Sequence, residues 1–120
     1  MKEHRGLVAV IEDDVSLNMA ILRQLRAAGF RTCSFRSGRE VLETPGRIAD
    51  CLVLDVHLPD MTGFELLRQL GTASPIVVIT AHDDPFHRRA ANEVHAIAYL
   101  TKPFARDALL EAVTRAVAAV

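Results

Sequence analysis

Two kinds of apolar pattern alternate along this chain. Short strand-like runs fall at about residues 7–11, 31–35, 51–54, 76–79 and 96–101, each bounded by polar or turn-forming residues. Apolar runs of that length between turn signals read as strands buried on both faces. Between them the apolar spacing changes to three and four residues, the period of a helix with one buried face. Leu17, Ile21, Leu25 and Ala28 mark a first helix, with Gly29 where a left-handed cap belongs. A short second helix is predicted over residues 37–43, with Ser37 as N-cap and Pro45-Gly46 as its stop. The third runs from Gly63 to Leu70, with Phe64, Leu67 and Leu70 inward and Gly71 ending it. A fourth, over residues 84–94, is polar through His87, Arg88, Arg89, Asn92 and Glu93. The fifth has the widest stripe: Leu109, Ala112, Val113, Ala116, Val117 and Val120.

Five strand-to-helix alternations joined by right-handed crossovers predict an α/β fold, a doubly wound five-stranded parallel sheet with five helices in a three-layer sandwich. Residues 1–120 read as a single domain without repeats, linkers or low-complexity stretches.

Four of the apolar runs stop at residues able to handle metal or phosphate. The first ends in Glu12-Asp13-Asp14, the third in Asp55, the fourth in Thr80 and the fifth in Lys102. Open parallel sheets bind ligands beyond the carboxyl ends of their strands, so acids, a hydroxyl and an ammonium are expected to converge there.

Composition narrows the partners. Half the residues are apolar (50%), enough for one core without a disulfide or structural metal. With 14 basic residues against 15 acidic and no basic block, neither nucleic acid nor an anionic membrane surface is an expected partner. Cys33 and Cys51 have neither a close partner nor metal-ligand spacing and read as reduced, buried small hydrophobes. The polar leading residues lack a signal-peptide core, and no apolar run approaches membrane-spanning length. A soluble, cytoplasmic, non-exported domain is the expectation.

Carboxylates that share a site repel, and each ionisation raises the pKa of its neighbours unless a cation is present. Glu12, Asp13 and Asp55, all-oxygen ligands without His or Cys, suit a hard ion, and few carboxylates plus water favour Mg²⁺, with Mn²⁺ in its place, over a caged Ca²⁺. Asp13 and Asp14 also suit the capping of helix one, and capping is the preferred role for Asp14. Lys102 is one of two lysines in a chain with twelve arginines, and a compact ammonium can neutralise one phosphoryl oxygen where a guanidinium fork would not fit. It equally suits a surface lysine ahead of Pro103-Phe104. Thr80 can serve as a β-branched strand residue, a cap, or a donor to phosphate. Tyr99, the only tyrosine, suits a core ring with its hydroxyl at the surface.

Taken together, Val10-Ile11-Glu12-Asp13, Leu54-Asp55-Val56-His57-Leu58-Pro59-Asp60-Met61-Thr62-Gly63, Thr80-Ala81 and Tyr99-Leu100-Thr101-Lys102-Pro103-Phe104 resemble, in order and spacing, the motifs of the receiver domain of bacterial two-component response regulators. The resemblance spans the whole chain. It implies the flavodoxin-like strand order 2-1-3-4-5 and a phosphorelay role as a signalling domain, not an enzyme for external substrates, although such domains promote their own phosphotransfer and autodephosphorylation. Asp55 would accept a phosphoryl group from a sensor histidine kinase or phosphotransfer protein. Mg²⁺ would be held by Asp13, the Asp55 carboxylate and the main-chain oxygen of His57, with Glu12 acting through water. Lys102 would offset charge on the phosphoryl oxygens. Thr80 and Tyr99 would form the switch that remodels the face of helix four, strand five and helix five toward a downstream protein target or effector domain. The Lys102-Pro103 bond is usually cis in such domains, and His57 and His82 stand where relatives tune phosphoryl lifetime.

The chain also departs from the family pattern. Glu12 replaces the commoner Asp, and His95 stands where relatives usually have Gly before strand five, so a positive φ there would strain it. Ile97-Ala98 replace acids that many DNA-binding relatives use in a charged dimer face, which bears on any phosphorylation-dependent homodimer. A receiver-like interaction module acting without phosphorylation is the alternative function. A small α/β phosphatase is a third, but such enzymes usually place a second acid where His57 stands.

Overall fold

The computed structural model describes residues 5–45 and 49–119. Its strands are β1 (Leu7–Ile11), β2 (Arg31–Phe35), β3 (Cys51–Asp55), β4 (Ile76–Thr80) and β5 (Ala98–Thr101). The helices between and after them are α1 (Val15–Ala27), α2 (Gly38–Leu42), α3 (Gly63–Leu70), α4 (Pro85–Glu93) and α5 (Arg106–Ala118). All strand pairs are parallel, in the order β2-β1-β3-β4-β5.

Successive residues of a strand face opposite sides of the sheet, and the two cores follow that alternation. Val8 and Val10 of β1, with Cys51 and Val53 of β3, meet Ile21, Leu25, Leu109 and Val113 from α1 and α5. Ala9, Ile11, Leu52 and Leu54 meet Val41, Phe64, Leu66 and Ala91 from α2, α3 and α4. The central strands are covered on both faces, which is why they read as unbroken apolar runs.

Local chemistry sets the helix ends. The side chains of Asp14, Ser37, Thr62 and Asp84 each accept a hydrogen bond from an N–H in the first turn of α1, α2, α3 and α4. Gly29 (φ 97°) follows α1, and Gly71 (φ 60°) ends α3, both in backbone conformations that favour glycine.

Several expectations need correction. β3 and β4 run one residue further than their apolar stretches, so Asp55 and Thr80 are the last strand residues, and β5 begins at Ala98 because Ala96 and Ile97 belong to the turn that enters it. In α3, Leu66 is the fully buried leucine while Leu70 is half-buried. Cys33 is only half-buried, whereas burial pushes the fully buried Cys51 thiol up to about 12. Gly46 and Val120 lie outside the described residues. No described helix is long and apolar enough to cross a membrane.

Candidate functional site

Strand register brings the site together. Ile11 pairs with Leu54, Asp55 with Ile79, and Thr80 with Thr101. Glu12 and Asp55 therefore lie side by side at the ends of neighbouring strands, while Lys102 follows β5, three strand spacings or roughly 14 Å from β1. Its stem covers part of that distance, and the Glu12 side chain reaching back from the end of β1 covers the rest. Lys102 Nζ donates to Asp55 Oδ2 at 2.9 Å and to Glu12 Oε1 at 2.5 Å. Its backbone N–H donates to the Thr80 carbonyl at 2.8 Å, and the Lys102–Pro103 peptide is cis.

Carboxylate oxygens of Glu12, Asp13 and Asp55 lie within 4.8 Å of one another. Glu12 and Asp55 are buried and Asp13 is exposed, so two acids are held deep and the third closes the mouth. Burial and the adjoining Asp55 carboxylate push the Glu12 carboxyl up to about 7, against the pull of Lys102 and of the Asp14 N–H. Burial works to lower the Lys102 pKa, but its bonds to Glu12 and Asp55 outweigh that and hold the ammonium above its ordinary value. A single lysine thus leaves the carboxylates short of positive charge, and the donor set, oxygens only, fits a hard divalent cation.

Supporting residues fix the loops. Asp14 caps α1, its carboxylate accepting from Leu17 N–H at 3.1 Å, and takes no part in the acidic cluster. Buried Asn18 donates to the carbonyls of Glu12 at 2.9 Å and Phe35 at 3.3 Å, pinning the end of β1. Asp60 accepts from the N–H groups of Gly38 and Arg39, which ties the loop after β3 to the start of α2. Gly63 permits the return of that loop: a Cβ there would stand 2.5 Å from the Asp55 carbonyl oxygen. The roles of Asn18 and Asp60 carry no sequence signal of their own, because each depends on a carbonyl or N–H delivered by a distant segment.

Around this centre lie the other expected residues. The His57 N–H donates to Asp55 Oδ1 at 3.1 Å, and its ring is exposed. Thr80 is buried, and its hydroxyl accepts from His82 N–H at 3.1 Å and donates to the His82 carbonyl at 3.2 Å. Tyr99 corrects an expectation: its hydroxyl is buried and makes no hydrogen bond of ordinary geometry. Arg88 lies over the ring, its guanidinium 4.8 Å from the Tyr99 ring centre, while also donating twice to Asp83. Burial and the nearby Asp83 carboxylate raise the Tyr99 pKa. The importance of Asp83, His87 and Arg88 is not visible in sequence, where they read only as the polar face of a helix and its approach. His95 adopts φ 56°, the left-handed conformation.

The chain matches the response regulator receiver domain family over residues 8–114. Nodulation protein W of Bradyrhizobium diazoefficiens is 36% identical over 116 residues, covering 93% of this chain and 51% of that protein. The DNA-binding transcriptional regulator NtrC of Escherichia coli K12 is 36% identical over 117 residues, covering 94% of this chain and 25% of its own length. The chain therefore spans about half or less of these relatives. The crystal structure of a response regulator receiver protein from Burkholderia phymatum superposes with a TM-score of 0.82 at 39% identity, over 93% of this chain and 94% of that one. The BeF3-activated DrrB receiver domain superposes with a TM-score of 0.84 at 29% identity, over 94% of this chain and 97% of that one.

Proposed function

This chain belongs to the response regulator receiver domain family, and from that premise we propose that it is a phosphorylation-controlled switch with Asp55 as phosphoacceptor. The donor would be the phosphohistidine of a sensor histidine kinase or phosphotransfer protein. An Asp55 carboxylate oxygen attacks phosphorus, the O–P bond forms as the N–P bond breaks, and the electron pair leaves with the donor imidazole. The observation that carries this reading is the Lys102 ammonium held between the two buried carboxylates, Asp55 and Glu12.

Glu12, Asp13 and Asp55, with the main-chain oxygen of His57, would hold Mg²⁺. When bound, the ion supplies charge neutralisation for the phosphoryl oxygens and the acids. Lys102, 2.9 Å from Asp55 Oδ2, is positioned to shift onto a phosphoryl oxygen once that oxygen is esterified. The His57 N–H orients the other Asp55 oxygen.

The new phosphoryl group adds roughly −1.5 to −2 charge and strong acceptors beside Thr80. Thr80 would then give up its pair of bonds to the His82 backbone and donate to the phosphoryl group. That rearrangement loosens the loop carrying Asp83, which with Arg88 holds Tyr99. The output is a changed face of α4, β5 and α5, presented to a downstream protein target or an effector domain.

Incubation with Mg²⁺ and a small acyl phosphate, followed by intact-mass measurement, tests the reading. One phosphoryl adduct is expected on the parent chain and none on Asp55→Asn. An adduct that persists in Asp55→Asn, or fails to form on the parent, overturns the assignment.

A further inference from the structure

Three of the five histidines of this chain meet on one side of the phosphoacceptor cleft. The His57 ring centre is 5.4 Å from that of His82 and 5.2 Å from that of His87, both edge to face. We propose that His57, His82 and His87 form a second cation site, for a borderline transition-metal dication of the Zn²⁺ class, distinct from the carboxylate site beside it.

His87 is the residue that turns a ring cluster into a site. Its Nδ1 lies 2.8 Å from the His82 carbonyl oxygen. A carbonyl can only accept, so Nδ1 carries a proton, and Nε2 is the ring nitrogen left for a metal. This is the arrangement of metal-ligating histidines, whose second nitrogen donates to a carbonyl or carboxylate. Asp84 Oδ2 adds a carboxylate 3.4 Å from the same Nδ1, and Asp84 Oδ1 accepts from the His87 N–H at 2.7 Å, fixing the backbone beneath the ring. Phe64 and Phe86 flank the imidazole, with ring centres 6.4 and 6.2 Å away, and the side chain is only 13% exposed. His87 is thus a fixed ligand with an apolar backing.

His57 and His82 are exposed and free to turn. Their nitrogens do not yet point at one position, and rotation of the two exposed rings supplies the convergence. The spacing already suits it: with Zn–N bonds of about 2.0–2.1 Å, two imidazoles on one tetrahedral ion have ring centres about 5.2 Å apart. Edge-to-face contact between aromatic rings produces similar distances, so the spacing permits the site and the bond from His87 Nδ1 to the His82 carbonyl argues for it. Ligand softness separates the two centres, imidazoles selecting Zn²⁺, Cu²⁺ or Ni²⁺ and carboxylates selecting Mg²⁺.

Titration of the full chain with Co²⁺ in excess Mg²⁺ tests the proposal, because four-coordinate nitrogen ligation gives Co²⁺ an intense visible absorption. One equivalent is expected to develop that band, Zn²⁺ to abolish it by displacement, and His87→Gln to weaken affinity by at least about tenfold. Gln can still donate to the His82 carbonyl, so folding is preserved, and the exposed His82→Asn variant gives an independent reading. Asp13→Asn is expected to leave the band intact. A band that survives both His87→Gln and His82→Asn, a band lost in Asp13→Asn, or no band at all overturns the site. Acyl-phosphate labelling of Asp55, measured separately by mass, reports on the phosphoacceptor whatever the cobalt result.

Discussion

Lys102 Nζ lies 2.9 Å from Asp55 Oδ2 while bonded also to Glu12, so one ammonium is shared by two buried carboxylates. Its removal leaves both acids without a cation. Breaking a buried pair from one side costs about 3–5 kcal/mol, reduced here because Glu12 can take up a proton. Lys102→Met is therefore expected to lower stability by about 3 kcal/mol at pH 8 and by less at pH 5.5, with Mg²⁺ recovering part of the loss. Urea unfolding at the two pH values, with and without Mg²⁺, checks this. Equal losses at both would show that Glu12 does not buffer the site.

The Glu12 carboxyl, pushed up to about 7 from an ordinary 4.5, makes metal-free stability depend on pH. Between those values the folded state binds more protons than the unfolded state, so stability falls as pH rises through the window and levels off above it. The full effect is about 3 kcal/mol. In EDTA, Tm is expected to drop between pH 5 and 8, Glu12→Gln to flatten that slope, and Mg²⁺ to oppose it by binding the folded state alone. A Tm that rises with pH in EDTA contradicts the assignment.

Gly63 sits where the α3 start crosses the end of β3. A Cβ at that position meets the Asp55 carbonyl at 2.5 Å, a backbone atom that cannot swing aside. Gly63→Ala is expected to cost about 1–3 kcal/mol, the range for overpacking, and to slow labelling of Asp55 by displacing its strand end. Normal labelling in a destabilised variant would separate packing from positioning.

The strand ends and the chemistry on them were legible because covered parallel strands must be apolar, and Glu12, Asp55, Thr80 and Lys102 interrupt that rule at the ends of four of them. Asp14 and Ser37 were equally readable, since capping is local. His95 could be flagged as a strain point, and its φ of 56° bears this out. What could not be read depends on contacts between segments far apart in sequence. Asn18 gains its meaning from the carbonyl of Phe35, Asp60 from the N–H groups of α2, and His87 from the rings of His57 and Phe64. Tyr99 was misjudged for the same reason: a surface hydroxyl was the sound local expectation, and Arg88 with Asp83 covers it.

That cover makes Tyr99 its own reporter. It is the only tyrosine, and the chain has no tryptophan, so tyrosinate absorbance follows one site. Burial and Asp83 raise its pKa, and the Arg88 cation, over the ring at 4.8 Å, works to lower it. Asp83→Asn removes a negative charge and is expected to shift the titration to lower pH. Arg88→Ala removes the opposing positive charge but also uncovers the ring, and the two effects have opposite signs. If the guanidinium acts mainly as a charge, the Arg88→Ala titration moves up; if it acts mainly as a lid, it moves down toward that of free tyrosine. Burial is the largest cause of the raised Tyr99 pKa and the Arg88 charge the smallest influence on it, so the lid outcome is the one expected, with the Arg88→Ala titration moving down.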